Sequence, residues 1–292
     1  MREGPTTAVL DGNDGMGHVV GKKAMEMAME KAAKFGMGMV VAKNSSHYGI
    51  AGYYATMASK KGMIGITGTN ARPSIAPTNG VENMLGTNPM TFGLPTDEEF
   101  DFVLDCATSV SQRGKIEVYD RVAKDVPQGW VIDQSGGGVT KIDNMLTELD
   151  KGNLALAPLG GLGEITAGYK GYGYATVVEV LSAALSGGMF MKALIGRDED
   201  GSKRPYHLGH FFVAIDVNAF VDTAQFKKTT GDILRGLRAS KLAPGKDRIY
   251  TAGEKEYLYY MENKDKGVPL NDALLTIIRG LQKEYNIEGY DF

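Results

Sequence analysis

The sequence has little cysteine, tryptophan or histidine: one, one and four residues in 292. The single Cys106 excludes an internal disulfide and suits a reducing compartment. Long apolar runs are missing too. The longest apolar region, residues 180–191, is closed by Glu179 and Lys192, whereas a bilayer-spanning helix needs about 20 residues. There is no surplus of basic charge: 32 Lys+Arg against 35 Asp+Glu leave a formal charge of -3, so nothing points to nucleic acid. The opening Arg2-Glu3-Gly4-Pro5 is polar and does not resemble a secretory signal. A cytoplasmic protein without membrane segments is expected. Cys pairs, a His-x-x-x-His pattern and carboxylate-rich calcium loops are all lacking, so no metal site is expected. Internal repeats and low-complexity tracts are also absent.

What remains is an ordinary globular composition, 43% hydrophobic and 23% charged, in a chain long enough for one large or two modest domains. Glycine is the unusual count. Its 39 residues are nearly twice the usual share of roughly 7%. Many fall between apolar runs, as at Gly136-Gly137-Gly138 and Gly160-Gly161. Tight turns account for most of them and close approach to a ligand for a minority.

Hydrophobic spacing outlines the elements. Residues 7–10 read as a strand ending at Asp11. Residues 22–35 read as a helix, with Met25, Ala28, Met29, Ala32 and Phe35 on one face and Gly36 at its end. Strands are expected at 37–42, 63–67 and 102–104, the last stopping at Asp105, and a fully buried one at 211–215. A largely apolar helix is expected at 174–186 and amphipathic helices at 226–241 and 270–285. Residues 198–205 read as a charged surface loop. The alternation of strands and helices predicts a layered α/β protein. It is not a Rossmann unit: Gly12, Gly15 and Gly17 are wrongly spaced, and no acidic residue follows at the usual distance.

The most informative segment is Asn44-Ser45-Ser46-His47-Tyr48-Gly49-Ile50-Ala51-Gly52-Tyr53-Tyr54. It places a histidine between the strand at 37–42 and a helix starting near Ile50. Polar loops at the carboxyl ends of strands are where α/β enzymes put chemistry. An imidazole there can exchange a proton with a substrate hydroxyl. It can equally cap the helix, and position alone leaves both readings open. His18 follows a glycine turn and is placed to cap or line the Asp11 loop, while His207 and His210 flank a strand start and read as structural. The segment Asp105-Cys106-Ala107, with Thr108 and Ser109 beyond, offers donors that suit a pyrophosphate or ribose or simply cap a helix. On residues alone, Lys170 reads as a solvent-facing lysine and Trp130 as packing.

The 44–54 segment resembles the type 2 malate/L-lactate dehydrogenase family, and seven further motifs do so in family order. They are Asp11-Gly12-Asn13-Asp14-Gly15-Met16-Gly17, Gly86-Thr87-Asn88-Pro89, Leu104-Asp105-Cys106-Ala107-Thr108-Ser109, Gly114-Lys115-Ile116, Gly129-Trp130-Val131-Ile132-Asp133, Pro158-Leu159-Gly160-Gly161 and Lys170-Gly171-Tyr172-Gly173. The resemblance implies a non-Rossmann nicotinamide-binding fold of mixed sheets with helices. It also implies a homodimer, with an outer, partly helical domain from residues 1–74 and 206–292 and an inserted α/β cofactor domain from residues 75–205. His47 matches the family's proton acceptor. Asn70, Ala71, Asp105, Cys106, Ala107, Lys170, Gly253 and Glu254 fall in its cofactor loops, and Thr87 and Asn88 in a loop near substrate. Lys115 and Asp133 lie in family-like motifs without an assignable role.

The implied activity is hydride transfer between NAD or NADP and a small 2-hydroxy acid, malate first. Lactate, sulfolactate, ureidoglycolate, diketogulonate and cyclic imino acids are substrates of other relatives. One departure stands out. Family members carry, before the equivalent of Asp11, a helical segment with Ser-His-Gly and an arginine that orients the substrate carboxylate, and nothing here matches it. Losing such a charge-assisted contact costs about 1.5–3 kcal/mol. The alternative expectation is therefore a truncated or inactive cofactor-binding module. A binding protein unrelated to redox chemistry is a third reading, and it predicts no NADH affinity.

Overall fold

The computed structural model describes residues 2–291. Strands β1 (Arg2–Glu3), β2 (Thr7–Gly15), β3 (Met37–Ser45), β4 (Met63–Thr69), β5 (Met90–Leu94) and β6 (Phe102–Cys106) share a seven-stranded sheet with a late strand, β10 (Leu208–Asp216). The order is β1-β2-β3-β10-β4-β5-β6. A smaller sheet sets β7 (Val131–Ile132) between β8 (Gly138–Val139) and β9 (Ala155–Leu156). The helices are α1 (Gly17–Phe35), α2 (Ala51–Ser59), α3 (Arg113–Arg121), α4 (Met145–Lys151), α5 (Gly168–Glu179), α6 (Thr223–Arg238), α7 (Glu254–Asn263) and α8 (Asp272–Tyr285). This is the mixed α/β class that the alternation predicted. No helix among the described residues is long and apolar enough to cross a membrane.

Alternation along β3 and β10 builds two cores. Side chains of successive strand residues point to opposite faces. Val40 and Phe212 pack with Ala24, Met25 and Ala28 of α1 and with Tyr54 of α2. Their neighbours Val41 and Phe211 pack on the other side with Val178 and Leu181. A strand covered on both faces reads as a continuous apolar run, which is why 211–215 was legible. α1 ends where expected: Gly36 takes φ +87° and donates its N–H to Ala32 O, as a left-handed cap requires. The apolar helix expected at 174–186 is instead α5, starting six residues earlier, followed by a π-turn over Val180–Ala184.

Topology gathers strand ends. β2 runs parallel to β3, while β10 is antiparallel to both β3 and β4. The carboxyl ends of β3 and β4 therefore emerge side by side: Ser45 pairs with Leu208 and Thr69 with His210. Two further antiparallel steps return β6 to the same edge, where Cys106 pairs with Met90 and Met90 with Gly68. Strands β5 and β6 thus belong to the large sheet, although the sequence reading grouped residues 75–205 together. The small sheet, α3 and α4 share a separate core that includes Ile116, Val131, Met145 and Leu156. By compactness the chain forms two units, residues 1–253 and 254–292. The second contains α7 and α8, and α8 is capped by Asn271, whose side chain accepts the Leu274 N–H.

Helix α2 lies on β4 and β5 through glycines. A Cβ at Gly65 would sit 2.5 Å from Ala55 O, and one at Gly93 2.6 Å from the same atom. Gly65→Ala is expected to cost about 1–3 kcal/mol through overpacking. By contrast, a Cβ at Gly114 in α3 meets nothing within 4 Å, so Gly114→Ala should be neutral or stabilising by about 0.4–1 kcal/mol. Urea midpoints of the two variants check this. Equal effects would mean that the helix–sheet contact is not close-packed.

Candidate active site

The loop carrying His47 leaves β3 and enters α2, and its backbone is fixed before any ligand arrives. Asn44 takes a left-handed conformation, φ +49°, and its Nδ2 donates to both carboxylate oxygens of Asp11 at 3.1 Å. Ser46 Oγ accepts the Gly17 N–H at 2.9 Å and donates to Gly15 O at 3.1 Å. A Cβ at Gly17 would lie 2.2 Å from Ser46 O and 2.5 Å from His47 O, and one at Gly12 2.6 Å from Asn44 O. Glycine in the Asp11–Gly17 motif therefore admits the His47 loop to van der Waals contact with the main chain.

Aromatic rings support the loop from below. Buried Tyr48 stacks on His210 at 4.6 Å between centroids and on Tyr54 at 4.9 Å, and the Tyr54 hydroxyl donates to Tyr48 O. His210 is fully buried, with Nδ1 2.7 Å from Thr69 Oγ1. Burial pulls its pKa down to about 3, so it is a neutral spacer, in keeping with the structural reading of the sequence. Burial also pushes the Tyr54 hydroxyl up to about 12. His207, the other histidine near this strand start, has Nδ1 2.7 Å from Asp14 Oδ1.

His47 itself is exposed. Its Nδ1 accepts the Gly49 N–H at 3.1 Å, with Gly49 at φ +79°. The neutral ring then carries its proton on Nε2. His18 sits under this turn: a Cβ at Gly49 would be 2.5 Å from His18 Nε2. A cavity of about 790 Å³ lies beside the loop, lined by His18, Lys22, Ile50 and Tyr53.

Asp105, at the end of β6, reaches the same helix. Its Oδ2 accepts the Gly52 N–H at 2.7 Å and its Oδ1 the Thr91 hydroxyl at 3.0 Å. The carboxylate therefore caps α2, the helix that His47 feeds, where the positive end of the helix dipole favours it. Backbone bonds join the other loops. Thr108 N–H and Oγ1 donate to Thr87 O at 2.9 and 3.1 Å. Leu159 N–H donates to Thr108 O at 2.8 Å, and Gly171 N–H to Leu159 O at 3.1 Å. The loops of Thr87, Asp105 and Lys170 are thus neighbours. Lys170 is exposed, its Nζ 6.0 Å from the Tyr169 ring centroid. The first amides of α5 are already engaged, Gly168 with Gly163 O and Lys170 with Ala167 O. This helix start also offers an anion the Lys170 ammonium.

Two asparagines turn inward. Asn70 is buried, with Oδ1 accepting Gly209 N–H at 2.8 Å and Nδ2 donating to Met189 O at 3.1 Å. Ala71 O packs so closely on Gly86 that a Cβ there would be 2.5 Å away. Asn88 is buried at φ +32°, its Nδ2 donating to Ala175 O at 3.0 Å and to Glu179 Oε2 at 2.7 Å. Cys106 lies half-buried with Sγ 3.8 Å from Met90 O, and burial pushes its thiol pKa up, away from nucleophile chemistry. Ala107 is buried. Gly253, at φ +90°, presses on β6, where a Cβ would be 3.0 Å from Val103 N. Glu254 is buried at the start of α7.

Lys115 and Asp133 receive structural explanations. Lys115 Nζ lies 4.9 Å over the Trp130 ring. Asp133 accepts from Ser135 N, Ser135 Oγ and Gly137 N at 2.6–2.9 Å, which holds its turn. The residue that sequence reasoning passed over is Glu179, buried beside Asn88. Its signal was present, as the one carboxylate inside the apolar run 174–186. Among the described residues no group of three His, Cys, Asp or Glu side chains could hold a metal ion.

An exposed imidazole on a braced strand-to-helix loop, in a mixed α/β fold, is an arrangement that can exchange a proton with a ligand and is of the α/β enzyme kind. The sequence matches the malate/L-lactate dehydrogenase family over residues 1–279, and the chain belongs to that family. It is 43% identical over 289 residues to a malate dehydrogenase of Pyrococcus horikoshii, covering 99% of this chain and 78% of that protein. It is 37% identical to an L-sulfolactate dehydrogenase of Methanocaldococcus jannaschii, covering 99% and 79%. The crystal structure of a malate dehydrogenase from Entamoeba histolytica superposes with a TM-score of 0.95 at 45% identity, covering 100% of this chain and 80% of that one.

Burial of neutral His210 makes stability depend on pH. With a folded pKa of about 3 against an ordinary 6.5, the unfolded chain binds the extra proton between these values. The histidine's contribution is complete above pH 6.5 and is lost as pH falls toward 3, at up to about 1.4 kcal/mol per pH unit. His210→Phe should flatten this part of the profile. Urea midpoints at pH 7.5 and pH 5 check it, and parallel profiles would show that the ring is not held neutral.

Proposed function

We propose that this chain is a nicotinamide-dependent oxidoreductase acting on a small 2-hydroxy acid, with malate and oxaloacetate as the favoured pair. The observation that carries the reading is His47, an exposed imidazole on a loop whose backbone is fixed by Asp11, Gly17 and Ser46. Malate and sulfolactate dehydrogenases among the relatives support the substrate class.

NAD or NADP, when bound, supplies the hydride acceptor. The donor set suits a dinucleotide: the Lys170 ammonium for the pyrophosphate, and the loops of Asn70, Ala71, Asp105, Cys106, Ala107 and Gly253 for the remainder, chiefly through main chain. Thr87, and the loop that Asn88 anchors, face the 2-oxo acid. His47 takes the hydroxyl proton at Nε2 as the carbinol C–H leaves as hydride. To accept there, the ring moves its own proton to Nδ1 and gives up the Gly49 N–H, a bond worth about 0.5–1.5 kcal/mol net. A cytoplasmic homodimer accords with this reading.

The test is oxidation of NADH and NADPH by the purified chain with oxaloacetate, pyruvate and a cyclic imino acid. Turnover with oxaloacetate is the expected result. His47→Ala should then lower kcat roughly 10²–10⁴-fold while the cofactor still binds, and near-normal turnover in that variant would remove His47 from the chemistry. Binding of NADH or NADPH without turnover on any of the acids would mark a cofactor-binding module instead, and binding of neither would overturn the reading.

A further inference from the structure

Glu179 is 6% exposed at the junction of α5 and the π-turn. Its Oε1 accepts the Met191 N–H at 2.8 Å and its Oε2 accepts Asn88 Nδ2 at 2.7 Å. The segment that contains Met191 also supplies Met189 O, which takes Asn70 Nδ2. One carboxylate therefore ties together the Asn88 turn and residues 189–191, and Asn70 is tied to the same segment. Beside it lies a cavity of about 730 Å³ lined by Val180, Ala184 and Phe190 among others. Burying a carboxylate costs stability, and an apolar residue of similar volume would serve packing as well or better. Burial does push its pKa up, against the pull of the Met191 N–H and the Asn88 and Asn70 amides. A group retained at that cost, with both oxygens engaged by segments far apart in the chain, is explained by what it holds in place.

We propose that Glu179 is a positioning residue that sets the Thr87–Asn88 turn for the 2-oxo acid through the Asn88 side chain. Asn88 stands at φ +32°, a conformation that the Glu179 and Ala175 contacts maintain. This inference rests on the reading of the Thr87 loop as substrate-facing.

Glu179→Gln keeps the side chain's length but turns one acceptor into a donor facing either the Met191 N–H or Asn88 Nδ2. The variant is expected to raise KM for oxaloacetate about tenfold or more, the loss of one charge-assisted bond, with KM for NADH nearly unchanged. Adding Asn88→Ala to it should cost less than the sum of the two single changes, because both break the Asn88–Glu179 bond and Asn88→Ala adds only the loss of its bond to Ala175 O. Amide hydrogen exchange provides a readout independent of turnover: segments 86–89 and 189–191 should exchange faster together in Glu179→Gln, with α1 unaffected. Unchanged KM and exchange would overturn the proposal, and so would KM losses that multiply in the double variant. If the unaltered chain turns over none of the acids, the functional reading falls, and the exchange result alone decides whether Glu179 holds the turn.

Discussion

The structure depends on one strand. β10 lies between β3 and β4 and buries side chains on both faces, Phe212 toward α1 and Phe211 toward the helix that follows Gly168. Because it is antiparallel to both neighbours, it forces their carboxyl ends to one edge. The His47 loop and the Asn70 loop leave from that edge, and β6 delivers Asp105 there as well. Displacing β10 would separate these groups even if each loop kept its own conformation. Apolar burial on two faces is the non-directional force, and the ladder of backbone bonds converts it into placement.

Polar side chains at this edge largely serve one another. Asp105 caps α2, Ser46 bridges to Gly15 and Gly17, and Asn44 grips Asp11. Each bond contributes about 1 kcal/mol net, a small sum beside the core. Their effect is to restrict conformation. A loop already held in one geometry loses little freedom when a ligand arrives, which is how an enzyme gains from orientation. His47 and Lys170, both exposed, present their side chains to solvent instead.

Much of this was legible in the sequence where periodicity was strong. Residues 22–35, 37–42 and 211–215 gave α1, β3 and β10, each somewhat longer in the structure. Strands β7, β8 and β9 have two residues each, too few to show a period. α3 buries only Ile116, so it carries no apolar stripe. α5 was read short because Gly168, Gly171 and Gly173 argue against helix, yet Gly168 and Gly171 are required there: Cβ atoms would lie 2.2 Å from Gly161 O and 2.3 Å from Leu159 N. At the site, His47 announced itself by its position at a strand–helix junction. The partner of Asp105 did not, because Gly52 is 53 residues away and no local pattern encodes that distance. Glu179 was visible only as the one carboxylate within the apolar run 174–186, since its two partners also come from elsewhere in the chain.

The π-turn after Glu179 has a consequence for how this helix can change. A π-turn holds one residue more than an α-turn, so every side chain beyond it is rotated by about 100° from where a regular helix would put it. The Leu185 N–H closes the wide turn on Val180 O, and within it Ser182 O comes so close to Gly209 that a Cβ there would be 2.2 Å away. Deleting a single residue between 180 and 184 would restore the regular period and shift the turn that packs on β10, although composition and hydrophobicity would scarcely alter. The segment is therefore sensitive to length in a way that substitution would not reveal: its residue count, as well as its chemistry, is part of what the fold specifies.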